Sequence, residues 1–159
     1  MKKQIFIVFH GDVKPFSNPG LSQLGIEQIR NIKEAKVLPE QPLTIICGTG
    51  KRHIDTALSL GLAPTSYSAL CGGPEVVNFN VRKDTVMLAD GTIIPFEQWK
   101  TPSTWQFLAD APDQSIIVTG HDFIAGLKID KTYHAASVLK IYVNNMDGGR
   151  QYIDVEILL

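Results

Sequence analysis

Two histidines beside glycines, His10-Gly11 and Gly120-His121, and the pair Lys51-Arg52 are the residues of this chain best suited to chemistry. Each stands where a short apolar run stops. Ile5 to Phe9 runs into His10-Gly11, Leu43 to Cys47 runs into Gly48-Thr49-Gly50-Lys51-Arg52, and Ser115 to Thr119 runs into Gly120-His121. A neutral imidazole is a nucleophile or base, and a charged one donates to anions. A guanidinium is a planar fork of donors that matches phosphate oxygens. Glycine beside each histidine lets the backbone approach a ligand closely. This set of side chains suits an oxyanion, and a helix opening at Arg52 would add its unsatisfied N–H groups. Singly, each residue has a plainer reading, as a histidine at a solvated strand end or a cation at a helix start. Their shared position at three strand ends favours one pocket, because open α/β sheets bind ligands outside the carboxyl ends of their strands. His53 reads as a structural helix residue. His134 has no glycine neighbour and no strand end, and reads as surface or packing.

The elements that must position these residues follow from hydrophobic pattern. Ile5 to Phe9 is continuously apolar, as in a strand covered on both faces by helices. Asp12 to Gly20, with two prolines, is loop. Leu21 to Ala35 carries a helical stripe of Leu21, Leu24, Gly25, Gln28, Ile29, Ile32 and Ala35, with Ser22 as N-cap. Leu43 to Cys47 is a second strand, and Arg52 to Leu60 a short helix closed by Gly61. Residues 66 to about 101 break the alternation. There Thr85 to Leu88 and Thr92 to Ile94 flank Ala89-Asp90-Gly91 and read as a β-hairpin excursion. Helix signals resume over Ser103 to Ala111, Ser115 to Thr119 is a third buried strand, and Phe123 begins a short helix. Ser137 to Val143 and Gln151 to Leu158 read as antiparallel strands. The expected fold is α/β and three-layered: a mostly parallel central sheet flanked by helices, with an antiparallel edge and the hairpin excursion.

Composition narrows the partners. At 159 residues the chain is expected to form one domain, 1–159, with a full core. Hydrophobic residues make up 44% and charged residues 19%, outside the disordered range. The net charge of −1 carries no basic excess for nucleic acid or an anionic membrane. The apolar run after Lys2-Lys3 is too short for a signal peptide, and no run reaches membrane-spanning length. Cys47 and Cys71 lack metal-site spacing and read as free thiols in a reducing cytoplasm, with no metal and no cofactor implied.

The ordered set His10-Gly11, Leu21-Ser22-x-x-Gly25-x-x-Gln28, Lys51-Arg52-x-x-x-Thr56-Ala57 and Gly120-His121 resembles the histidine phosphatase, or phosphoglycerate mutase-like, superfamily. The resemblance runs from Ile5 to about Leu127 and is similar in size to the short phosphohistidine phosphatases. It implies a phosphorylated nucleophile at His10, phosphoryl stabilisation by His121 and Arg52, and phosphate contacts from Gly11 and Asn18. It also implies a leaving-group acid from the excursion, a place that Glu75 fills after Gly72-Gly73-Pro74. The implied function is a phosphohydrolase acting on a small phosphomonoester or a phosphohistidine. One position departs from the family: its first motif arginine is Phe9 here. Loss of that donor would remove about 2–4 kcal/mol of transition-state stabilisation, roughly 30- to 1,000-fold in rate. Asp55 replaces a customary glutamine and Gly48 stands near a customary serine. A carboxylate at Asp55 would oppose an anion unless it turned away or paired with Arg52. The alternative reading is therefore a catalytically impaired relative that binds a small anion or a protein partner with the same pocket.

Overall fold

The computed structural model describes residues 3–15, 20–68, 71, 76–88, 93–95, 107–120, 123, 134–145 and 151–159. Its elements are β1 (Lys3–Phe9), α1 (Gln23–Ala35), β2 (Ile45–Cys47), α2 (Lys51–Ser59), β3 (Ser66–Tyr67), β4 (Val76–Asn80), β5 (Thr85–Leu88), β6 (Ile93–Pro95), β7 (Ser115–Thr119), β8 (Val138–Asn145) and β9 (Gln151–Ile157). Residues 107–110 are helical as well. The main sheet has the order β3-β2-β7-β1-β8-β9. Its first four strands are parallel, while β8 runs antiparallel to β1 and β9 antiparallel to β8 at one edge.

The apolar run of β1 is buried on both faces because alternate residues serve two different cores. Ile5, Ile7 and Phe9 join Ile46, Ile117, Leu139 and Leu108 on one side. Phe6 and Val8 join Ile45, Cys47, Ile116 and Val118 on the other, beneath Ile29 and Ile32 of α1 and Ala57 of α2. Helices α1 and α2 thus cover one face, and the 107–110 helix covers the opposite one. The three-layer expectation holds. The α1 stripe is narrower than its periodicity suggested, since Leu24 is 55% exposed and Ala35 is also exposed.

The excursion contains the expected pairing of β5 with β6 and adds β4, so it forms a three-stranded antiparallel sheet. No sequence signal marked β3, a two-residue edge strand lying beside β2. The turn at 89–91, the start of the Ser103 to Ala111 helix and the residues that follow Phe123 lie outside the described residues.

Phe9 is fully buried in the core shared with Cys71, Leu108 and Phe123. A charge placed there would be cut off from solvent. Phe9→Arg is expected to destabilise the protein by about 3–5 kcal/mol, read as a lower urea midpoint at unchanged slope.

Candidate active site

Parallel pairing aligns the carboxyl ends of β1, β2 and β7, with Phe9 opposite Thr119 and Cys47 opposite Val118. The next residues therefore emerge together. His10 N–H donates to the Thr119 carbonyl at 3.0 Å and Gly48 N–H to the Val118 carbonyl at 2.9 Å. His10 is half-buried at this rim. Its Nδ1 lies 2.8 Å from the Gly11 carbonyl, which can only accept, so Nδ1 carries the proton. In the neutral ring this leaves Nε2 as the unprotonated, nucleophilic nitrogen.

The loop after His10 is held by α1 at very close range. A β-carbon on Gly11 would stand 2.8 Å from the Gly25 carbonyl oxygen, and one on Gly25 would stand 2.2 Å from that of Asp12. Only two glycines permit this approach. Ser22 caps α1 by accepting from Gly25 N–H at 3.1 Å while its hydroxyl donates to the Asp12 carboxylate at 2.6 Å. Gln28 accepts from Asp12 N–H at 2.9 Å. The Leu21-Ser22-x-x-Gly25-x-x-Gln28 pattern is thus a clamp on the residues that follow the candidate nucleophile. Asp55 turns toward the same junction, where its Oδ2 accepts from Leu21 N–H at 3.4 Å.

Helix α2 meets His10-Gly11 from a second direction. The buried Thr56 hydroxyl accepts from Gly11 N–H at 3.2 Å and donates to the Arg52 carbonyl at 2.8 Å. Thr56 is a member of the resembled pattern, but its bond to Gly11 has no sequence signal. Arg52 is half-buried in the first turn of α2.

His53 beside it is fully buried, with its ring edge-on to His10 at 5.3 Å between centroids and 87° between planes. The structural expectation for His53 agrees with this burial, but contact with His10 was not legible in the sequence. Burial pushes its pKa from 6.5 down to about 2, Arg52 and the His10 ring act in the same direction, and the Gly50 carbonyl offsets this only in part. His53 is therefore neutral. Gly120 touches both rings: a β-carbon there would meet His10 Cδ2 at 3.2 Å and His53 Nε2 at 3.3 Å.

Three sequence-derived candidates, Asn18, Glu75 and His121, lie outside the described residues, although Gly120 brings the chain to His10 one residue before His121. His134 is exposed, its Nδ1 turned to the Ala135 carbonyl. Cys47 and Cys71 are buried free thiols. Burial raises both, Cys47 to about 12, so neither is a thiolate near neutral pH. Among the described residues no cluster of metal-ligating side chains occurs, and no helix is long and apolar enough to cross a membrane.

No protein-family model and no curated protein sequence matches the chain. Solved structures do. A mycobacterial glucosyl-3-phosphoglycerate phosphatase is 18% identical with a TM-score of 0.64, covering 98% of this chain and 98% of its own. TTHB049 from Thermus thermophilus is 16% identical with a TM-score of 0.65, covering 98% and 99%. The protein histidine phosphatase SixA, complexed with tungstate, is 14% identical with a TM-score of 0.54, covering 95% and 94%.

Two outcomes test the architecture of the site. Gly25→Ala forces a β-carbon into the Asp12 backbone and is expected to cost about 1–3 kcal/mol, measured by thermal melting. The second concerns His53, whose folded-state pKa lies below its unfolded value. The unfolded chain then binds the extra proton first, so its contribution to stability is complete above about pH 6.5 and declines as pH falls toward about 2. Urea titrations at about pH 7 and pH 5 should show the decline, and His53→Phe should flatten it. From these neighbours and the sheet topology together, the chain has a three-layer, mostly parallel α/β fold of the phosphoglycerate mutase-like type.

Proposed function

We propose that the chain is a phosphohydrolase of the histidine phosphatase superfamily, one domain over 1–159, acting through a phosphohistidine at His10. The observation that carries this reading is the His10 ring. Its Nδ1 is tied to the Gly11 carbonyl, and its Nε2 is presented at the carboxyl edge of the parallel strands, beside the first turn of α2. Substrate phosphorus forms a bond to Nε2 as its bond to the leaving oxygen breaks. Glu75 supplies a proton to that oxygen. Water then attacks the phosphohistidine, breaking the N–P bond and releasing inorganic phosphate. Arg52, His121 and Asn18 hold the phosphoryl oxygens, whose charge stabilisation is the main lever in such transfers, while Gly11, its N–H given to Thr56 and its carbonyl to His10 Nδ1, positions the nucleophile. The route draws on no metal and no cofactor.

The neighbours support the chemical class. One is a glucosyl-3-phosphoglycerate phosphatase solved with inorganic phosphate, another a histidine phosphatase solved with tungstate. A small phosphorylated molecule or phosphohistidine is the proposed substrate. The burial of Phe9 favours a second reading. The position supplies no guanidinium to the pocket, and a pocket lacking that donor suits a catalytically impaired protein that binds a small anion.

Turnover of p-nitrophenyl phosphate separates the two. The enzyme reading expects His10→Ala to abolish turnover and Glu75→Gln to retain most of it, because a good leaving group needs little protonation. A wild type that binds vanadate, shifting the His10 ring resonances, yet releases no nitrophenol would establish the binding reading.

A further inference from the structure

His53 has no place in the route above. Neither of its ring nitrogens makes a hydrogen bond of good geometry among the described residues, the nearby Gly50 carbonyl accepting instead from the His53 backbone N–H at 3.0 Å, although the residue is 0% exposed. A buried polar group without a partner costs about 1–3 kcal/mol. Such a group beside a reactive residue calls for a missing partner, a bound ion, water or ligand. The geometry says where that partner would be. His53 Nε2 and His10 Nε2 lie 3.3 and 3.4 Å from one point, the place a β-carbon of residue 120 would occupy. His53 is thus directed at the reactive edge of His10, and Gly120 leaves that edge without a side chain.

We propose that His53 is a further residue of the phosphoryl site, donating a hydrogen bond from Nε2 to an oxygen of the phosphate held at His10. The inference rests on the phosphatase reading of that site. Its chemistry is complementary: phosphate oxygens accept, and a neutral imidazole carries one N–H that either nitrogen can hold. A phosphate at His10 selects the Nε2–H form. Burial strengthens the bond, since a donor in a low-dielectric site acts on charge without rearranging solvent. It also gives a role to an imidazole buried without a well-formed hydrogen bond. Arg52 and His53, adjacent on α2, would then supply a charged and a neutral donor from one helical turn.

The test uses the whole chain labelled with 15N-histidine and titrated with inorganic phosphate. His53 Nε2 is expected to shift on saturation. His53→Phe keeps a planar ring and removes the orphaned nitrogens, so it should melt no lower than wild type yet bind phosphate about 10- to 150-fold more weakly. His53→Gln restores an N–H near the Nε2 position and should recover most of that loss, in binding and in kcat alike. A structural role predicts the opposite ranking, with Phe tolerated in activity as well as in stability. Unmoved His53 resonances in a phosphate-bound wild type, or equal affinities for wild type and His53→Phe, would overturn the inference and leave the phosphatase reading standing. If His53→Phe does not fold, the wild-type resonance decides. A wild type that takes up no phosphate overturns both.

Discussion

The backbone-to-backbone contact of Gly11 with Gly25 is the constraint on which the site depends. It sets the distance between the end of β1 and the start of α1, and it admits no side chain on either partner. The loop that follows His10 is then tied down from that junction. Ser22 and Gln28 bind Asp12, and Thr56 takes the Gly11 N–H that the loop would otherwise bury unpaired. These are polar bonds in a partly dry environment, where leaving one unmade costs more than making one gains. His10 is held through its flanks, with α1 on one side and α2 on the other.

Electrostatics at the rim is built from few charges. Asp55, the carboxylate most able to oppose an anion, is turned toward Leu21 at the α1 junction. His53 is kept neutral by burial and by the Arg52 guanidinium beside it. Phe9 belongs to the core beneath the rim and contributes packing there. The described rim sets the Arg52 guanidinium beside two imidazoles, His10 and His53. That arrangement suits an anion held by directed hydrogen bonds more than by net charge.

Much of this was legible in the residues. The three strand-end positions, the N-cap at Ser22, the β5–β6 pairing and the antiparallel β8–β9 edge all follow from local pattern and turn chemistry. Gly25 and Gln28 were legible only as members of a resembled pattern, and the structure supplies their reason: a contact too close for a β-carbon and a bond to the Asp12 amide. What local pattern missed is short or tertiary. Strand β3 is two residues long, and Leu24 shares the helical period of the buried stripe yet faces solvent, since neighbouring elements decide how wide a face is covered.

The sequence by itself determined the main strands and helices, apart from β3 and β4, and the residue types delivered to each strand end. Alternation, capping and glycine placement are local properties, and a chain carries them wherever it folds. Only the tertiary structure decided that His53 abuts His10, that Thr56 completes Gly11 and that Phe9 is core. Each of these is a meeting of residues more than forty positions apart or a choice between two faces of one strand. Such meetings are set by which strands pair, through β1 lying between β7 and β8, and pairing is settled by the burial of whole faces, which no segment shows alone.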